Sequence, residues 1–144
     1  MISKQRGSYH LDGKMFKSSW ELAKYIWHRD RKDDFEYLPN VAFEYMQTDG
    51  KLHKYFPDFR VGNHYEEVKG NQFIRNDGTM YIPYKKKTWS TKKHEEVCEN
   101  YECKRKCMLE NNVIILSEAD IRPYLQYVNA TYGKKFMHEC KIFS

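Results

Sequence analysis

The amino-acid sequence predicts one domain of the α/β (α+β) class, a mixed sheet flanked by helices. Three observations carry this. Segments beginning near Ser18, Thr91 and Ser117 place apolar residues at helical spacing. The stretches between Phe35 and Lys69 alternate like half-buried strands and are separated by the turn pairs Asp49-Gly50 and Gly62-Asn63. A short apolar run, Val113-Ile114-Ile115-Leu116, follows the longest helical segment. With 144 residues the chain supports one real core but not comfortably two, and an aromatic share of 16% fills that core where a hydrophobic share of 40% is modest.

The elements follow in order. Ser18 with Glu21 three residues later forms a capping box, and Trp20, Ala23, Ile26 and Trp27 continue it as a helix with the tryptophans in the core. The charged run Arg29–Asp34 ends that helix in solvent. From Phe35 the pattern turns strand-like, with Val41, Phe43 and Tyr45 on one face. Lys51 to Val61 reads as a second strand and His64 to Lys69 as a third, together a three-stranded meander. Residues 71–93 are the least regular. A helix from about Thr91 to Asn111 follows, with Val97, Tyr101 and Met108 as its buried stripe. Val113–Leu116 reads as a fully buried strand, and Ser117 or Asp120 caps a last helix carrying Ile121, Tyr124, Leu125 and Val128.

No stretch reaches the roughly 20 apolar residues of a membrane span, and the start MISKQRGSYH lacks the apolar run of a signal peptide. The expectation is an intracellular, cytoplasmic chain with no membrane partner and no organic cofactor. In that setting Cys98, Cys103, Cys107 and Cys140 are free thiols by default. His94, Cys98, Cys103 and Cys107 invite a zinc reading. On one unbroken helix, however, the 94/98 and 103/107 pairs point to nearly opposite faces and cannot share an ion.

The net charge of +5 says little as a total. Its distribution says more: between Lys69 and Lys106 ten basic residues face five acidic ones, so this stretch holds the whole excess. Lys85, Lys86, Lys87, Lys92 and Lys93 flank Trp89 and follow Tyr81 and Tyr84, an interleaving that suits a phosphate backbone with bases nearby. Lys104-Arg105-Lys106 reads equally as a second basic stripe or as ordinary helix solvation.

The segment 55–70 carries the chemistry. With Gly62-Asn63 at the centre of a two-residue turn, pairing proceeds outward as Val61 with His64, Arg60 with Tyr65, Phe59 with Glu66 and Asp58 with Glu67. Asp58 and Glu67 then face each other, with Lys69 on the same face and diagonal to Asp58. Two opposed carboxylates are destabilising unless something positive lies between them. A hard divalent cation such as Mg²⁺ answers that need, and a cation there polarises a phosphoryl oxygen and lowers the pKa of a bound water. A neighbouring lysine orients that water or stabilises negative charge in the transition state.

Pro57-Asp58, then eight residues, then Glu67-Val68-Lys69, resembles the PD-(D/E)XK nuclease superfamily. Ser18-Ser19-Trp20-Glu21 fits the family's acidic residue on the helix before the sheet, and the element order suits its αβββαβ core over about residues 18–128. The chain looks closest to small phage-type endonucleases, whether junction-resolving, homing or very-short-patch-like. The resemblance implies a restriction-endonuclease-like fold and an Mg²⁺- or Mn²⁺-dependent DNA endonuclease acting inside a host cell. Asp58, Glu67, the Val68 carbonyl and Glu21 would hold the metal, and Lys69 would assist the attack. The segment 71–93 departs from the pattern as a basic insertion, so the DNA substrate does not carry over. Specificity would come from the domain's own loops, from a homodimer or from a partner protein. Two other readings use the same residues: a DNA-binding module with an inactive nuclease-like site, and a small interaction protein structured by zinc.

Overall fold

The computed structural model describes residues 9–70, 73, 75–77 and 79–141. The class is the predicted one, α+β with a mixed sheet. The chain divides into two compact units. One comprises the described residues up to Phe35 together with those from Glu118 onward, and the other is Glu36–Ser117.

The first unit opens with a hairpin of β1 (Tyr9–Leu11) and β2 (Lys14–Phe16), joined by Asp12-Gly13. Both turn residues are left-handed, at φ 53° and 74°, as a two-residue turn whose backbone twist suits the flanking strands requires. Helix α1 (Ser19–Arg31) starts at Ser18, whose Oγ accepts from the Glu21 N–H at 3.3 Å and donates to Glu21 Oε1 at 3.1 Å. The Ser18 half of the predicted capping box is present, and Glu21 returns to the Ser18 hydroxyl. Helix α3 (Glu118–Tyr132) packs on α1 through Trp27, which meets Tyr124 and Tyr127 edge-on at 5.3 Å each, and α4 (Phe136–Glu139) closes the unit. Leu22, Ile26, Ile121 and Val128 are fully buried. Trp20 and Trp27, expected in the core, are only half-buried. Large indoles are rarely enclosed completely, and Arg31 lies over the Trp27 ring at 4.9 Å.

The second unit contains most of β3 (Phe35–Tyr37), then β4 (Phe43–Met46), β5 (Leu52–Tyr55), β6 (Phe59–Val61), β7 (His64–Val68), α2 (Thr91–Glu110) and β8 (Ile114–Leu116). Here the expected meander is corrected. Residues 51–61 form two strands rather than one. The break falls at Phe56-Pro57-Asp58, where a buried proline lacks the N–H that a continuous ladder needs. Strand β5 therefore stays with β4 in a separate two-stranded sheet, and β6 joins the order β3-β6-β7-β8. Strands β6 and β7 are antiparallel while β7 and β8 are parallel, linked through α2.

Two burial expectations also change. Strand β8 is an edge whose burial rises along its length, from Ile114 at 47% exposed to a buried Leu116, rather than fully enclosed. On α2 the buried residues are Cys98, Cys107 and Met108, with Val97 and Tyr101 half-buried, so the helix is rotated from the predicted stripe. The core of this unit joins Tyr55, Met80, Cys107, Met108 and Val113, bordered by Phe43, Tyr45, Tyr65, Tyr101 and Ile115. Met80 anchors the described residues between β7 and α2: its side chain is fully buried and its N–H donates to Glu102 Oε1 on α2 at 3.1 Å.

Candidate functional site

The β6–β7 hairpin has the register the sequence predicts, Val61 with His64, Arg60 with Tyr65 and Phe59 with Glu66. Gly62 sits at φ 56°, a first turn position that a side chain would strain. The strand ladder stops at Phe59. One residue further, Asp58 uses its side chain instead: Oδ2 accepts the Val68 N–H at 2.9 Å. In an extended strand a residue's N–H and C=O leave on the same edge, so the Val68 carbonyl also faces the Asp58 side of β7. The Asp58 backbone is held too, because its carbonyl accepts from the Leu38 N–H at 2.7 Å. Leu38 adopts a left-handed φ of 52° to make that bond, a conformation that costs a non-glycine residue about 1–2 kcal/mol.

Glu67 is buried, 7% exposed, and lies within the electrostatic reach of Asp58. Burial first, and then the Asp58 charge, push its carboxyl up to about 8. Three groups oppose the shift. Tyr55 on β5 donates its hydroxyl to Glu67 Oε1 at 2.7 Å, and the charges of Lys104 and Lys69 pull the other way. Lys69 follows β7, tied by its N–H to the Leu116 carbonyl at 3.0 Å. Its ammonium lies 4.8 Å from the Phe73 ring centroid and 4.9 Å from that of Tyr101, held between rings rather than paired with a carboxylate. Burial, followed by the Lys104 charge, lowers its pKa, while Glu67 and Asp58 work to raise it.

Among the described residues no group of three His, Cys, Asp or Glu side chains stands ready as a metal cage. Two carboxylates within electrostatic reach of each other, with the Val68 carbonyl on the Asp58 side of β7, nonetheless form a sparse set of hard oxygen donors. This suits Mg²⁺, which keeps several waters and takes few protein ligands. Glu21 lies on α1 in the other unit, buried and bonded to Ser18 as its cap partner.

Tyr55, Tyr101 and Lys104 were missed as site residues. Tyr55 carried no sequence signal, since its approach to Glu67 depends on the break at Pro57. For Lys104 the signal was faint: helical geometry splits the basic triplet. Lys104 stands 5.5 Å over the Tyr55 ring, Arg105 pairs with Glu102 at 2.8 and 2.9 Å, and Lys106 is exposed.

The basic segment lies on the approach to α2 and its first turn. Lys85, Lys86, Lys87, Lys92 and Lys93 are exposed, while Trp89 is half-covered by Lys86 at 5.2 Å and stacked on His94 at 6.3 Å. The first turn of α2 has no acidic residue, so Lys92 and Lys93 stand at the positive end of the helix dipole, where a cation is disfavoured. Lys93 has Glu96 at 4.0 Å.

The four cysteines are free of disulfides. His94 Nε2 donates to the Ile82 carbonyl at 2.8 Å and lies 3.7 Å from Cys98 Sγ, whereas Cys107 Sγ faces the Glu44 carbonyl at 4.0 Å. No family model, curated protein or solved structure matches the chain.

Proposed function

We propose that this protein is a divalent-metal-dependent DNA endonuclease that hydrolyses phosphodiester bonds, resembling the small phage-type members of the PD-(D/E)XK superfamily. The observation that carries the reading is the crowding at the end of the β6–β7 hairpin. There Asp58 accepts the Val68 N–H, a buried Glu67 carboxyl is driven up to about 8 by burial and by Asp58, and Lys69, its pKa lowered, lies within electrostatic reach of both. Asp58, Glu67 and the Val68 carbonyl would hold Mg²⁺ or Mn²⁺, and Glu21 is the further acid the resemblance implies. When bound, the ion supplies Lewis-acid polarisation of a phosphoryl oxygen and neutralises charge at the scissile phosphate.

The remaining roles belong to the chain itself. Lys69, its ammonium lying over the Phe73 and Tyr101 rings, orients the attacking water or donates to a phosphoryl oxygen as charge builds on it. Tyr55 fixes one oxygen of Glu67 and so aims the other. The lysines at 85–87, 92 and 93 form a phosphate-binding strip, and the cost of placing cations at the start of α2 is offset when a polyanion lies there.

The test is plasmid cleavage in Mg²⁺ by the parent protein, Asp58→Asn and Lys69→Ala. Cleavage by the parent is expected to fall by about a thousandfold in each variant while DNA binding persists. Full activity in Asp58→Asn overturns the assignment. Retained binding with no Mg²⁺-dependent cutting by the parent returns the protein to a binding module with an inactive site.

A further inference from the structure

Beside the carboxylates, α2 and the β4–β5 hairpin enclose a cavity of about 270 Å³ lined by Tyr45, Gln47, Val97, Asn100, Tyr101 and Lys104. Val97, Asn100, Tyr101 and Lys104 follow at i, i+3, i+4 and i+7, so one stripe of the helix forms a whole wall. The opposite wall comes from Tyr45 of β4 and from Gln47 just beyond its end. We propose that this cavity receives a single unpaired nucleobase of the nucleic acid, an inference that rests on the nuclease reading and names the substrate feature it selects.

The lining has the chemistry of a base site. Tyr45 and Tyr101 offer aromatic rings and Val97 an apolar floor, which are the surfaces on which a flat heterocycle stacks. Gln47 and Asn100 offer amides, which pair with base edges. The Asn100 orientation is settled by Thr48, whose N–H and Oγ donate to Oδ1 at 3.3 and 3.1 Å. A backbone N–H accepts nothing, so the oxygen must face Thr48, and Nδ2 is left as a donor with no protein partner among the described residues. The Gln47 amide and the Tyr45 and Tyr101 hydroxyls likewise bond no protein group among them. The volume lies just below the roughly 300–1,000 Å³ of small-molecule sites, enough for one ring system and far too little for a duplex.

Its position ties the pocket to the chemistry. The Tyr101 ring lies under the Lys69 ammonium at 4.9 Å, and Lys104 covers the Tyr55 ring whose hydroxyl holds Glu67. A base seated here belongs to a nucleotide whose backbone runs past Lys69 and Lys104. Two larger cavities of this unit, of about 400 and 420 Å³, are lined by Glu95 and Glu99 together with Glu102 or with Asp49 and Glu96. Each of those has one fixed cation, Arg75 or Lys92, outnumbered by carboxylates that repel a phosphate chain, whereas this cavity has a lysine and no acid. A base paired within a duplex exposes neither its face nor its pairing edge, so the occupant is a bulged, mispaired or single-stranded base.

Three fluorescein-labelled DNAs of one sequence test this in EDTA, so that no strand is cut: a paired duplex, a duplex with a one-nucleotide bulge, and the same bulge lacking its base. The parent is expected to bind the base-bearing bulge about tenfold more tightly than the abasic one, the scale of one stacked base. In Gln47→Ala and Asn100→Ala, shown to be folded by their melting curves, that preference is expected to shrink to about twofold. Equal binding of the two bulges by the parent, which needs no variant, overturns the inference, as does an undiminished preference in both variants. Plasmid cleavage in Mg²⁺ is scored separately: base preference without cleavage removes the nuclease reading and keeps the pocket, and cleavage without base preference does the reverse.

Discussion

Three aspartates of the first unit and Glu67 of the second are held in opposite ways. In the first, Asp12, Asp30 and Asp33 each accept from neighbouring donors. Asp30 accepts from Tyr132 at 2.6 Å, Tyr127 at 2.7 Å and Arg29 at 3.0 Å, and Asp12 accepts from Tyr25 at 2.9 Å and Arg29 at 3.1 Å. Against the upward push of burial, these bonds hold both carboxyls below the usual range. Asp33 is lowered as well, chiefly by its bond from His28 Nδ1 at 2.8 Å. The fully buried Lys24 completes that chain. Its Nζ lies 2.9 Å from His28 Nε2.

In the second unit Glu67 has one hydroxyl donor and a neighbouring carboxylate, and it moves the other way, up to about 8. Acids that stabilise a fold are satisfied, whereas an acid kept near a like charge is costly. Such a cost points to a role that folding does not explain.

The sharpest test of this contrast is the pH dependence of stability. A carboxyl whose folded pKa exceeds its unfolded value binds its proton more tightly when folded. Between about 4.5 and about 8, therefore, Glu67 makes the metal-free protein less stable as pH rises. The slope from this residue is at most about 1.4 kcal/mol per pH unit. Melting curves in EDTA should show it, Glu67→Gln should flatten it, and Mg²⁺ should raise the melting temperature most at the alkaline end. The acids of the first unit act with the opposite sign, contributing stability above an ordinary 3.8 that is lost as pH falls below it. A flat profile between pH 5 and 8 would remove the contrast.

A second effect probes the support of Glu67. Tyr55→Phe deletes the hydroxyl that holds Oε1 and is expected to lower Mg²⁺-dependent cleavage by about 10- to 100-fold, the usual scale for a group that positions a metal ligand. Because that bond lowers the Glu67 pKa, the stability profile should also shift toward higher pH. On the other side of the comparison, Asp30→Ala removes the shared acceptor of Tyr127, Tyr132 and Arg29 and should lower the urea midpoint, with no change in the pH 5–8 slope. The smallest effect is electrostatic. Replacing Lys85, Lys86 and Lys87 with Ala should reduce the salt dependence of DNA binding, read as the slope of log K against log salt. The reduction should reach about 0.9 for each phosphate that a lysine no longer neutralises.

Much of the site was legible in the sequence because it is local. The Gly62-Asn63 turn and the two-residue side-chain period were enough to place Phe59 opposite Glu66 and to bring Asp58 to the end of β7. The Ser18–Glu21 cap was legible for the same reason. The β1–β2 hairpin was equally local and was overlooked, although Asp12-Gly13 between Leu11 and Lys14 is the residue pair such a turn demands. The failures elsewhere share one cause. Alternation carried Lys51–Val61 as a single strand, but a buried Pro57 divided it, and no window of sequence says which sheet each half will join.

By itself the sequence determined the class of fold, the helix cap, the hairpin register and the meeting of Asp58 with β7, all of which follow from backbone dihedrals and side-chain periods within a few residues. Tertiary structure alone decided that Tyr55 would reach Glu67 and that Lys104 and Tyr101 would stand over the site from α2. It also decided that Glu67 would be buried deeply enough to hold its proton near neutral pH. These depend on which faces of distant segments are driven together by burial and on the solvent they exclude, and neither is written in any one stretch of chain.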